Sequence, residues 1–374
     1  MFGRLLFILW LVLLGVFVGS YAAYFSYLKI MAGKKWKLRI DRNFSPKVTV
    51  LVPAHNEEET IQAKLKNLAE VSYPKEKMEI ILIDDASTDQ TLAKAYDFLE
   101  KHPELSVKVL RQNPRKGKAH ALNKGLEVSS NEIIVVTDAD SIWPHDVLEK
   151  ALPYMADPSV GAVTGHGVVA NPDESWATRA EGGYLNIMNL VRLGESKVHS
   201  TIRFEGCFCA FKKNAFDKFD IESGADDSGT ALKVVQNGFR AILVPEVYCF
   251  SKVPVRFSGR VKTKLRRAVH LNELWFQCLK LLLKGHLHLP KKVAVPEIFI
   301  MIFNPAIFVA LVALTFALAA FYPVALIPLV IGFCALILIP KVRSFILEGI
   351  FDQLILFYAV MLNLSGKKII AWEK

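Results

Sequence analysis

Residues 5–31, LLFILWLVLLGVFVGSYAAYFSYLKIM, carry no charge before Lys29. A helix this apolar all round has no place on the surface of a water-soluble fold, and about 20 such residues suffice to cross a bilayer. A cleavable signal peptide has an apolar core of only about 7–15 residues and ends at a small-residue site, which does not stand out here. Residues 1–32 are therefore expected to form a retained transmembrane helix. Lys34, Lys35, Lys37 and Arg39 follow it, and a basic flank marks the cytoplasmic side.

Composition agrees with a divided chain. Of 374 residues, 52% are hydrophobic and 22% charged, too apolar for a simple soluble enzyme and too charged for a bare membrane bundle. The net charge of +10 favours phosphate-bearing ligands or anionic lipid. The five cysteines, Cys207, Cys209, Cys249, Cys278 and Cys334, form no CxxC pair. Their odd number and irregular spacing predict buried thiols in a reducing compartment, without disulfides or zinc.

Residues 33–255 read as a cytoplasmic domain. Apolar runs VTVLVPA (48–54), MEIILIDDA (78–86), SVKVLRQ (106–112) and NEIIVVTDAD (131–140) alternate with helical stretches 56–71, 89–102 and 118–129. Ile61, Leu65 and Leu68 fall at helical spacing, and Asp89 is placed to cap the second helix. Such alternation predicts an α/β, Rossmann-like fold with a mostly parallel sheet buried on both faces. Beyond it, residues 256–292 are basic and amphipathic, as in helices lying on a membrane surface. Residues 293–374 are expected to hold two or three spans: two within 298–340, turning near 321–324, and a third candidate at 345–364. Glu348 and Asp352 lie one helical turn apart in that third stretch, where carboxylates are costly and suggest a pore-lining or interfacial role.

In a parallel sheet, ligands bind beyond the carboxyl ends of the strands. Acidic and polar groups cluster at such ends: His55, Asn56 and Glu57; Asp84 and Asp85; Asp138 and Asp140; and, in GADDSGTAL, Asp226 and Asp227. Carboxylates gathered in one pocket repel one another unless a cation joins them. Mg2+ or Mn2+ suits one or two carboxylates completed by substrate phosphate oxygens. The Asp-x-Asp pair thus predicts a cation site that steadies a diphosphate leaving group. Neither a Walker loop nor a dinucleotide-binding glycine loop is present, and no Ser-His-Asp elbow.

Six stretches in order, VLVPAHNEE, IILIDDASTD, GKAHALNKGL, VVTDADS, FEGCFCAFKKNAF and ADDSGTAL, resemble the inverting family 2 glycosyltransferases. Within them the chain looks like the membrane-embedded branch of cellulose, chitin, hyaluronan and poly-N-acetylglucosamine synthases. The resemblance implies an A-type glycosyltransferase fold with flanking transmembrane and interfacial helices. It assigns Pro53, Ala54, Asn56, Glu57, Asp84, Asp85, Lys118 and Asp138 to the nucleotide sugar, which is most often a UDP-sugar. It makes Asp138 and Asp140 ligands of Mg2+ or Mn2+ and Asp227 the general base. Asp226, Cys207 and His166 are placed near the acceptor.

One departure stands out. Processive members carry Gln-x-x-Arg-Trp, where this chain has KLRRA (264–268). Arg267 keeps the arginine, which can clamp a diphosphate, with Lys264 and Arg266 as further cations. Ala268 removes the aromatic face offered to the acceptor sugar. The leading expectation is an integral cell-membrane enzyme that builds a β-linked polysaccharide from a nucleotide-diphosphate sugar. Transfer of a single sugar to a polyprenyl phosphate or glycolipid is the alternative, and a non-catalytic nucleotide-sugar- or lipid-binding protein is the remote one. Membrane lipids are expected partners and nucleic acid is not.

Overall fold

The computed structural model describes residues 1–323, 338 and 340–366. The chain forms two units. One comprises Leu28–Phe257 and Leu287–Pro290. The other comprises Met1–Tyr27, Ser258–His286 and the described residues from Lys291 on.

In the first unit, the described residues form one eight-stranded sheet. Its strands are β1 (Val48–Ala54), β2 (Met78–Asp85), β3 (Val107–Gln112), β4 (Ile133–Val136), β5 (Ser141–Ile142), β6 (Val160–Val169), β7 (Cys209–Lys212) and β8 (Arg240–Ser251). They lie in the order β3-β2-β1-β4-β7-β6-β8-β5. The pairs among β1 to β4 are parallel, as is β6 with β8, while β7 and β5 run antiparallel to their neighbours. Every residue of β1 is buried, which is why VTVLVPA has no polar alternation: both faces are covered. Strand order reverses at β1, which lies between β2 and β4, and the crevice of such a sheet opens beyond the carboxyl ends there.

Helices α2 (Ile61–Ala69), α3 (Thr91–Lys101), α4 (Lys118–Val128), α5 (Val147–Ala151), α6 (Trp176–Val198) and α7 (Asp226–Gln236) belong to this unit. Asp89 Oδ1 accepts the Thr91 N–H at 3.0 Å at the start of α3. Gly125 lets α4 settle on the sheet: a Cβ there would stand 2.9 Å from Leu51 Cδ2 and 3.0 Å from Ile83 Cδ1. The run read as a strand over 131–140 leaves the sheet after Val136. Thr137 still donates to Leu51 O (3.1 Å), but the Asp138 N–H turns to Gly206 O (3.0 Å). The two aspartates thus stand on a turn held from both sides. The sequence predicted no disulfide, whereas the structure joins Cys207 to Cys249, 42 residues apart in sequence and brought together within the core.

The second unit is helical. It holds most of α1 (Phe2–Ala32) and α8 (Phe257–Leu283), with α9 (Lys291–Ile298), α10 (Asn304–Phe321) and α11 (Pro340–Leu364). Among the described residues, three stretches are long and apolar enough to cross a membrane: Phe2–Ala32, Lys291–Phe321 and Ile346–Leu364. The middle one begins at Lys291, ahead of the expected 298, and continues through Pro296 and a π-helical turn at Phe299–Phe303. Pro305, near the start of α10, lacks the N–H a helix needs, and a wide turn is a common way to absorb such a break. The expected return span after residue 324 and the tail beyond 366 lie outside the described residues.

Within this unit, α8 corrects the picture of a cationic surface helix. Arg260 and Lys264 are buried and meet the carboxylates of α11. Arg260 grips Glu348 through two bonds of 2.6 Å, and Lys264 reaches Glu348 at 3.1 Å and Asp352 at 2.6 Å. Ala268 and Val269 pack on Ile355 and Ala359. Lys264 is therefore part of a helix–helix ion network. Glu348 and Asp352 are its counter-charges, at the interface between two helices.

Candidate active site

The loops beyond β1 and β2 interlock. Asn56 adopts a positive φ of 55°, a conformation that asparagine tolerates. Its N–H donates to Ser87 Oγ (3.0 Å), and its Oδ1 accepts the Thr88 N–H (2.9 Å). The Glu57 N–H donates to Thr91 Oγ1 (2.7 Å), and Glu57 Oε2 accepts from Thr60 Oγ1 (2.7 Å). Pro53 and Ala54 are buried in β1. Asp84, wholly buried, accepts the Ser87 N–H. Asp85 takes the N–H groups of Lys116 (2.9 Å) and Gly117 (2.8 Å) and a 2.6 Å bond from Gln112. Asp85 thus fixes the loop that delivers Lys118 as the first residue of α4.

Lys118 is the hub. Its Nζ lies 2.8 Å from Asp138 Oδ1, 3.3 Å from Asp226 Oδ2 and 3.1 Å from Asp227 Oδ2. One ammonium therefore joins the Asp138 turn to the first turn of α7. Helix α7 starts at Asp226 itself, so both carboxylates sit where a helix favours negative charge. Burial alone would lower the Lys118 pKa, but the three aspartates overcome it and hold the pKa well above its ordinary value. Burial, and next the charge of Asp226, pushes Asp227 up to about 7, while Lys118 pulls it back. Asp227 Oδ1 is buried and accepts no hydrogen bond. The arrangement holds a carboxylate ready to take a proton near neutrality.

Gly206 forms the wall of this centre. A Cβ there would stand closer than 3.0 Å to Lys118 Nζ, Asp227 Oδ2 and Asp138 Oδ2. Asp140, half-buried, follows Asp138 on the same turn. Among the described residues no three His, Cys, Asp or Glu side chains converge closely enough to hold a metal by themselves. The donor set still fits a hard cation: it is all carboxylate, and the Lys118 ammonium already shows that the site accepts positive charge. Two carboxylates leave the remaining positions to substrate oxygens, as magnesium and manganese sites commonly do.

Cys207, His166 and Arg267 were also expected to take part. Cys207 is buried and bonded to Cys249, so its expected acceptor contact is corrected to a core role. His166 lies on β6, stacked on Tyr248 with ring centroids 5.1 Å apart. Burial, and then the nearby charge of Arg192, lowers its pKa. Beside it, buried Arg192 pairs with Glu205 at 2.9 Å, a cluster the sequence did not single out. Arg267 is an exposed residue of α8, in the helical unit. Two more residues were missed. Gly206 stood in a quoted motif without a role, and Lys64 looked like one of many helix-surface lysines. Lys64 is fully buried, and burial drops its pKa to about 7 against the pull of Asp138 and Asp140.

Residues 49–220 match the model of the family described as Glycosyl transferase family 2. The mannosyltransferase PcManGT from Pyrobaculum calidifontis, solved in complex with GDP-Man and Mn2+, superposes with a TM-score of 0.83 at 33% identity, covering 97% of this chain and 100% of that one. A poly-beta-1,6-N-acetyl-D-glucosamine synthase of Staphylococcus aureus is 29% identical over 256 residues, 67% of this chain and 60% of its own length. The Staphylococcus epidermidis synthase is 27% identical over 237 residues, 61% of this chain and 56% of its own length. The chain thus matches less than two thirds of the length of those synthases.

Proposed function

The chain belongs to glycosyl transferase family 2, and from that membership we propose that it is a membrane enzyme moving one sugar from a nucleoside diphosphate donor to an acceptor hydroxyl or phosphate, with inversion. The observation that carries this reading is the convergence of Asp138, Asp226 and Asp227 on Lys118. Asp227 is the base: its unbonded Oδ1 takes the acceptor proton as the acceptor oxygen attacks the anomeric carbon from the face opposite the leaving group. Lys118 exchanges part of its carboxylate contacts for the donor diphosphate. Releasing Asp227 from that cation raises its proton affinity, so the base strengthens when the donor is seated. A divalent cation held by Asp138 and Asp140 would supply charge neutralisation for the departing diphosphate.

GDP-mannose is the first donor to test, because the relative that aligns over its whole length was solved with that nucleotide sugar and Mn2+. Single transfer is favoured by KLRRA: Ala268, at the tryptophan position, is buried and offers no aromatic face to a growing glycan. Polymer synthesis from a UDP-sugar is the second reading, and its support is the likeness to the poly-N-acetylglucosamine synthases.

Purified full-length protein in lipid nanodiscs, supplied with Mn2+ and labelled nucleotide sugars in turn, separates these readings. We expect transfer from GDP-mannose to a lipid-extractable acceptor, one sugar per product. A high-mass product from a UDP-sugar would replace both donor and product. Absence of transfer from every nucleotide sugar, with membrane-lipid acceptors present, would sink the enzyme reading.

A further inference from the structure

Behind the Asp138 turn lies a charge that the transfer chemistry does not use. Lys64, on α2, has no exposed surface. Its ammonium donates to Thr137 Oγ1 (2.6 Å) and to the Ser141 carbonyl (3.0 Å), the residues that bracket Asp138, Ala139 and Asp140. It also sits 4.4 Å above the ring of Trp143. One turn along α2, Asn67 exchanges two hydrogen bonds with the backbone of Trp143, at 2.8 and 2.9 Å. Helix α2 thus grips the segment 137–143 at two points, from the side away from Lys118.

Asn67 alone would fix the far end of that segment without burying a charge. An ammonium taken out of water costs several kcal/mol unless something opposes it, and its hydrogen bonds here go to neutral oxygens. The charges that act on it are Asp138 and Asp140. Its position suits two tasks at once. Two donor bonds set the spacing of the turn, and a positive charge from behind offsets the mutual repulsion of the two carboxylates. A methionine of similar length would fill the volume and perform neither.

We propose that Lys64 is a positioning residue for the cation site, bracing the Asp138–Asp140 turn from α2 in the form that binds a divalent ion. This rests on the reading above that Asp138 and Asp140 hold the metal. The two effects of the lysine oppose each other in a measurable way. As a nearby like charge it would weaken cation binding, so its loss would tighten it. As a brace it improves binding, so its loss would weaken it, and outer-shell partners of metal ligands typically contribute about 10–100-fold in affinity.

The test is Mn2+ titration of the full-length protein in detergent, with free Mn2+ followed by electron paramagnetic resonance and no nucleotide present. Asp140→Asn should abolish the site; retained binding there would overturn the metal reading itself. With that control satisfied, Lys64→Met should bind Mn2+ about tenfold or more weakly while unfolding cooperatively. Unchanged or tighter binding in folded Lys64→Met would overturn the brace and leave the metal reading standing. Should Lys64→Met fail to fold, Thr137→Val removes the shortest bond of the brace and keeps the charge. A several-fold loss of Mn2+ affinity is then expected, and wild-type affinity would overturn the proposal.

Discussion

Asp226 and Asp227 are chemically identical, yet they are set up for different work. Burial and the Asp226 charge raise Asp227 to about 7. A base must be ionised to act, so kcat/KM, which reports the free enzyme, should rise with pH through a limb near that value. Asp226→Asn removes the negative neighbour, which lowers the Asp227 pKa, and the rising limb should move to lower pH. A limb that stays in place in Asp226→Asn would mean that Asp227 is not the group being titrated. Asp227→Asn should abolish transfer altogether, measured in the same assay. Gly206 supplies a steric counterpart. Its missing Cβ is the room that Lys118, Asp138 and Asp227 occupy, and the atoms a methyl group would displace are ends of side chains. Gly206→Ala should therefore cost roughly 100-fold in kcat/KM, as misplacements of about 1 Å can do, while its Tm stays within a few degrees of wild type.

Helices and strands were largely legible as a pattern, and their ends were not. The first three strands emerge close to their apolar runs: in β1 and β2 burial on both faces leaves a nearly continuous apolar signature, while β3, at the sheet edge, is part-exposed. The fourth run was overread at Thr137 to Asp140, where a contact with Gly206 O, remote in sequence, takes the place of the sheet ladder. Helix α6 begins at Trp176. Its capping box uses Thr178 where glutamate or glutamine is usual, so the signal was easy to pass over. Helix α8 was misread for a deeper reason. Basic residues on an amphipathic helix look alike whether they face lipid headgroups or carboxylates about 84–88 positions away in sequence. The network makes its own prediction. Glu348→Gln leaves Arg260 buried without its counter-charge and should destabilise the helical unit by about 3–5 kcal/mol in detergent unfolding. The double variant Arg260→Met, Glu348→Met should be less destabilised than Glu348→Gln, since no charge remains stranded. Equal losses in the two would show that the pair contributes packing alone.

Across the whole molecule, the carboxylate clusters were legible because each sits at a strand end or helix start. What joins them was not. Lys118 was expected near the diphosphate, but its bond to three aspartates from two distant segments is a property of the closed sheet. So is the burial of Lys64, which turns a surface-looking lysine into a support for the turn. In this arrangement a hard cation and a diphosphate complete each other's coordination, so each binds more tightly when the other is present. Ligand that binds only the folded protein stabilises it by about 2.7 kcal/mol at a hundredfold excess over Kd. GDP with Mn2+ should therefore raise the Tm of the full-length protein by several degrees. GDP with a chelator, or Mn2+ in the presence of UDP, should raise it far less. Transfer activity should vanish with the chelator and return on adding Mn2+ or Mg2+. Full stabilisation by GDP after exhaustive chelation would place the nucleotide without any metal and leave Asp140 with no part in holding it.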